Sequence, residues 1–162
     1  MKMSKLPDQS KSIIQERSAI IDLGKFSNNL SSRVLYILGL VDILRGVLHT
    51  FFIYWANDTF AHLNLSTNGQ DQLMLLSAFG TSNLLTGSIY ILVSMKAKEL
   101  ARPVLMLILG SYFVGWLGTQ YAGITPNADF LGRYFMACYF LVIILTLVFT
   151  KMKNSMNNFN FF

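Results

Sequence analysis

The sequence predicts an all-α membrane protein, an up-down bundle of four transmembrane helices with both termini cytoplasmic, and two patterns carry that prediction. Four apolar stretches, at about residues 34–56, 72–95, 103–123 and 130–150, each reach the ~20 residues that a helix rising ~1.5 Å per residue needs to cross ~30 Å of hydrocarbon. The segments around them alternate in positive charge. Lys2, Lys5, Lys11, Arg17, Lys25 and Arg33 precede the first stretch, Lys96, Lys98 and Arg102 separate the second from the third, and Lys151 and Lys153 follow the fourth. Residues 57–71 and 122–129 contain neither Lys nor Arg. By the positive-inside rule both termini and the 96–102 loop face the cytoplasm, or the matrix in a mitochondrion, so the expected location is a bacterial inner membrane or a eukaryotic organelle membrane.

With 162 residues, 53% hydrophobic and 13% charged, the chain holds one domain. Residues 1–33 form a polar tail, 34–150 the transmembrane domain and 151–162 a short C-terminal tail. The net charge of +5 reads as a topology signal that meets anionic headgroups of the lipid bilayer. No basic stripe with interleaved aromatics indicates a nucleic acid partner.

In the N-terminal tail Ile13, Ile14, Ile20, Ile21 and Leu23 recur near helical spacing among Glu16, Arg17 and Asp22. A short helix on the membrane surface and a disordered tail both fit. No cleavable signal peptide is expected, because the first 30 residues have no continuous apolar core.

The first span carries Asp42, Arg45 and His49 at i, i+3 and i+7, on one helix face, with Gly39 and Gly46 nearby. An isolated charge at mid-membrane costs ~2.5–3.5 kcal/mol on insertion scales, so Asp42 and Arg45 are expected to pair and to face the bundle interior. Two readings stand: the three side chains bind the helix to its neighbours, or they line a cavity for a ligand, proton or headgroup. The loop that follows contains Asn57-Asp58-Thr59 and Asn64-Leu65-Ser66, both matching the glycosylation acceptor pattern, which chance also produces in an Asn-rich chain.

In the second span Gly80, Asn83 and Gly87 share a face, and the Asn83 amide must find partners that lipid does not supply. It serves either as interhelical glue or as a ligand contact. The third span has Ser111, Gly115, Thr119 and Gly123 at intervals of four, flanked by Gly110 and Gly118, which predicts a close-packing ridge. Trp116 lies well inside the bilayer with an indole N–H that needs an acceptor, and Gln120 lies in the same half. In the fourth span Arg133 sits about one turn from the outer end, either snorkelling to the interface or pointing inward. Asp42, Arg45, His49, Asn83, Trp116, Gln120 and, if it turns inward, Arg133 are the candidate ligand-binding residues of a polar pocket in the centre and outer half of the bundle.

Several classes are excluded. A membrane haem needs two facing histidines, and the two here are His49 in a span and His62 in a loop. Cys138 is the one cysteine, so an internal disulfide, a CxxC redox pair and a Cys-rich metal site are out. No cofactor and no metal are expected, and no catalytic residue is assigned.

The order of features, an Arg/His-bearing first helix, a bare loop, AFGTSNLLTG in the second helix, a basic hinge at KAKELARP and GSYFVGWLGTQYAG before the last span, resembles the small four-helix membrane proteins of the DoxX-like group. It is also similar to the four-span endoplasmic-reticulum scaffold of sterol synthesis, although Tyr112-Phe113 and Gln120 replace the aromatic-charged signature expected there. Over residues 34–150 the resemblance implies fold and topology, with function by analogy. The leading expectation is an accessory or binding protein whose pocket holds a lipid-like or quinone-like molecule, or which docks to a larger membrane protein complex. The alternatives are an enzyme or oxidoreductase component using Asp42, Arg45 and His49 as proton-handling groups, and a small proton-coupled transporter, which the pairing of Asp42 with Arg45 counts against.

Overall fold

The computed structural model describes residues 8–63, 65–66, 68–124 and 131–159, with side chains for 29–153 within them. Four helical segments are long and apolar enough to cross a membrane: Asn29–Phe51, Gly69–Lys96, Lys98–Tyr121 and Gly132–Lys153. No strand occurs among the described residues. The helices are α1 (Asp8–Phe51), a short α2 (Ile53–Ala56) continued by a π-helical turn (Asn57–Ala61), α3 (Gly69–Lys96), α4 (Ala101–Tyr121) after a 3-10 turn (Lys98–Leu100), and α5 (Gly132–Phe159).

Of the two expectations for the N-terminal tail, the disordered one is corrected from Asp8 onward. The backbone is helical there and runs unbroken into the first span, giving a helix of 44 residues and about 66 Å, roughly twice what the hydrocarbon requires. The first span also ends earlier than its hydropathy suggests. At Phe52 the backbone leaves helical geometry (φ −117°, ψ 40°), so Tyr54 and Trp55 belong to α2 rather than to the span. No Gly or Pro marks that break.

The other helix ends follow local chemistry. Asp71 in the first turn of α3 and Lys96 in its last complement the helix dipole. Pro103 sits in the first turn of α4, where a missing N–H interrupts no helical bond. At the far end of α4 Gly123 takes a left-handed φ of 66°, and the N–H groups of Gly123 and Ile124 donate to the carbonyls of Gln120 (3.1 Å) and Thr119 (3.0 Å). That glycine cap ends the helix.

α1 is the hub, packing against α3, α4 and α5. Against α3 it lies antiparallel in backbone contact. A Cβ on Gly39 would come within 2.8 Å of the Gly87 carbonyl oxygen, and one on Gly46 within 2.8 Å of the Gly80 carbonyl oxygen. One register relates both crossings, and it extends to a third pair, where the buried Ser32 hydroxyl donates to the Ser94 carbonyl at 2.6 Å. Ser32, Gly39 and Gly46 on one helix thus face Ser94, Gly87 and Gly80 on the other, all at seven-residue spacing. That period is the one that keeps a narrow seam facing its partner along two coiled helices.

The apolar core adjoins this seam on α1, toward the end of the bundle that carries Arg33, Lys98 and Arg102, called here the basic end. Leu35 and Leu38 of α1 meet Ala101, Leu105 and Ile108 of α4 and Tyr139 and Ile143 of α5. The α4 contributions stop there. From Phe113 to Ile124 every residue is exposed, and Gly110, Gly115 and Gly118 have nothing within 4 Å of a would-be Cβ. The expected Ser111–Gly115–Thr119 packing ridge is therefore corrected: it faces outward, and the close-packing seam is the α1–α3 one. At the other, bare end the connection after α1 folds over α5 instead, with Phe60 edge-on to Trp55 and to Phe135 and the Leu131 N–H donating to the Phe60 carbonyl. Large apolar side chains such as Leu75, Met74 and Leu107 point outward, as a lipid-facing surface requires.

Candidate functional site

Just beyond the apolar core, toward the bare end, α1 places Asp42 and Arg45 one turn apart on its inner side. Their side chains pair at 3.3 Å, with Asp42 almost fully buried and Arg45 about one-fifth exposed. The pair is tied to two more helices. Arg45 donates to Asn83 Oδ1 on α3 at 2.9 Å and to the Met136 sulfur on α5 at 3.4 Å. The Tyr139 hydroxyl on α5 donates to Asp42 Oδ2 at 3.2 Å. One face of Phe79 is covered by the Arg45 guanidinium, 5.2 Å from the ring centre, and His49 stacks obliquely on the same ring at 5.8 Å. Because the glycine seam lets α1 and α3 touch on either side of Asn83, its short amide reaches across to Arg45.

A second layer gathers around Asp42. Tyr90 of α3, Tyr112 of α4 and Tyr139 of α5 are half-buried or buried against the same core, and their phenols lie within electrostatic reach of one another. Each of the four spans thus sends one polar side chain to this level.

The cluster leaves hydrogen-bonding capacity unmet. Arg45 Nε and Asn83 Nδ2, which donate, Asp42 Oδ1, which accepts, and His49 Nδ1 and Thr50 Oγ1, which can do either, are buried and have no hydrogen-bond partner among the described residues. Asp42 Oδ1 lies in ion-pair range of Arg45, and its other oxygen accepts from Tyr139. Several other intramembrane hydroxyls are satisfied locally, since Thr81, Thr86, Ser88, Thr119, Thr146 and Thr150 donate to carbonyls of their own helices, while the buried Ser31 hydroxyl toward the basic end has no partner among the described residues.

Of the seven residues expected to line one pocket, the structure brings four together: Asp42, Arg45, His49 and Asn83. The other three lie elsewhere, and the seven-residue pocket is corrected accordingly. Trp116 is exposed on α4 and stacks on Phe113 at 5.9 Å. Gln120 is exposed on the same outward stretch. Arg133 turns to its neighbour Tyr134, donating to the hydroxyl at 3.0 Å and covering the ring. Their depth was legible in the sequence, but the face they occupy depends on where α4 leaves the bundle. Tyr139, Tyr90 and Met136 were missed, and the available signal was a phenol or thioether amid otherwise aliphatic stretches.

Asn57 is buried, accepts the Leu63 N–H at its Oδ1 (3.0 Å) and holds the turn after α2, an arrangement that leaves no room for a glycan. Asn64 lies outside the described residues. Among the described residues no three of His, Cys, Asp and Glu group as metal ligands would. No family model, curated protein or solved structure matches the chain, so its function has to be argued from these side chains.

Proposed function

We propose that the chain is a small multi-pass membrane protein, with both termini on the cytoplasmic side, that holds a lipid-like or quinone-like molecule at the Arg45–Asn83–His49 cluster. The observation that carries this reading is the group of buried polar atoms without partners, Arg45 Nε, Asn83 Nδ2, His49 Nδ1 and Asp42 Oδ1 among them, gathered at one level of the bundle. Leaving a buried donor unmade costs ~1–3 kcal/mol, and lipid tails offer nothing to relieve it. A ligand bringing carbonyl oxygens would accept from Arg45 Nε and Asn83 Nδ2, the two of these atoms that can only donate. Polar groups convergent in an apolar surround are the usual make-up of such sites.

Docking to a larger membrane protein complex is the second reading, and the outward ridge of α4 favours it, since Gly110, Gly115 and Gly118 meet nothing among the described residues. The DoxX-like resemblance is kept here as an analogy for topology and accessory role. The test is mass spectrometry of the full chain extracted gently from its native membrane. The expected result is a co-purifying apolar carbonyl compound in the wild type that is lost in His49→Phe and Asn83→Leu variants of unchanged helicity. Wild-type protein free of any such molecule, or variants that keep it, would overturn the ligand reading; a stable protein companion in its place would favour docking.

A further inference from the structure

A groove of about 510 Å³ opens at the basic end between α1 and α3, far from the Asp42 cluster, with Arg33 and Lys98 among its lining residues. Its floor is the hydrogen-bonded pair Ser32 and Ser94, so it is built on the rigid seam rather than on a loop. Neither cation forms a salt bridge among the described residues. One turn deeper on α1 the wall becomes apolar, with Ile37 58% exposed beside Tyr36, and Met95 at the rim is 60% exposed. The groove lies where three of the four spans begin or end, Asn29–Phe51, Gly69–Lys96 and Lys98–Tyr121, which is the level of lipid headgroups.

We propose that this groove binds an anionic glycerophospholipid, its phosphate between Arg33 and Lys98 and its acyl chains descending past Tyr36 and Ile37. Two unpaired cations call for an anion. The exposed apolar wall beneath them calls for hydrocarbon, which distinguishes a lipid from free phosphate: the latter would leave Ile37 uncovered. The groove is open to the surroundings, as a site entered from the bilayer must be, and its seven lining residues place cations at one level and apolar side chains at the next. Arg33 adjoins the Ser32–Ser94 bond on α1, and Lys98 opens the 3-10 turn just after α3.

The experiment is native mass spectrometry of the full chain released from nanodiscs of phosphatidylcholine containing a minority of phosphatidylglycerol, with retained lipid counted per protein. Each surface cation contributes about fivefold to binding an anionic lipid, so Arg33→Gln with Lys98→Gln is expected to lower phosphatidylglycerol retention about thirtyfold. The control pair Lys96→Gln with Lys151→Gln removes the same charge at the same end and is expected to change retention less than about fivefold, because neither side chain lines the groove. Equal losses in the two double variants would mean diffuse surface attraction and overturn the site. Displacement of the lipid by inorganic phosphate would overturn the lipid assignment. Should the first double variant fold poorly, Lys98→Gln alone and the wild-type preference for phosphatidylglycerol over phosphatidylcholine answer the same question, and absence of both effects refutes it. Asn83→Leu, which empties the other site, is expected to leave this retention unchanged.

Discussion

Replacing Gly87 by Ala tests the α1–α3 seam directly. The new Cβ would lie 2.6 Å from the Gly39 carbonyl oxygen and 2.9 Å from both the Ile43 nitrogen and its Cγ1. Two of those three are backbone atoms that cannot rotate away, and the shortest falls roughly 0.8 Å inside the 3.4 Å at which ordinary contact begins. The helices must part, and overpacking of this kind costs ~1–3 kcal/mol. Ala gains up to ~1 kcal/mol over Gly in helix propensity, so a net loss of about 1–2 kcal/mol is expected. Gly115→Ala provides the opposite sign, because nothing lies within 4 Å of its Cβ and only the propensity gain remains. Unfolding of the detergent-solubilised protein by added SDS, followed by circular dichroism, measures both. If Gly87→Ala proves as stable as Gly115→Ala, the backbone contact is not made and the seam model is wrong.

Three further outcomes follow from the site. Asp42→Asn or Arg45→Met alone should destabilise the bundle by about 3–5 kcal/mol, since each strands the other charge, while the double variant should lose clearly less than the sum; strict additivity in the cycle would show that the two do not interact. Tyr139→Phe removes the hydroxyl that donates to Asp42 and should lower stability by about 1.5–3 kcal/mol in the same SDS titration, with a smaller loss when Asp42 is Asn, whose amide oxygen still accepts, and none when it is Leu. Ser32→Ala deletes the bond to the Ser94 carbonyl and should reduce stability by about 1 kcal/mol, whereas an increase would mean that the hydroxyl strains the seam rather than ties it.

The sequence made the spans and the Asp42–Arg45 pairing legible because both rest on strong, local physics: hydrocarbon thickness sets length, and a lone intramembrane charge must be paired within reach of its own helix. Glycine told less than its spacing promised. Gly110, Gly115 and Gly118 look as much like a packing ridge as Gly39, Gly46, Gly80 and Gly87 do, yet the first set faces outward and the second forms the seam. What separated them was periodicity shared between two helices: Ser32, Gly39 and Gly46 repeat every seven residues, as do Gly80, Gly87 and Ser94, while the α4 set follows intervals of three to five. Trp116 and Gln120 were misassigned for a related reason. Polarity reports that a side chain needs a partner, not that the partner lies in the same chain.

The stretch of α4 that stands clear of the other helices makes the two halves of the bundle unequal. At the basic end Ala101, Leu105 and Ile108 are packed against α1 and α5, whereas from Phe113 onward α4 is exposed along its length. The contacts that hold α4 are therefore concentrated in one half of its span, and the other half presents every residue to its surroundings.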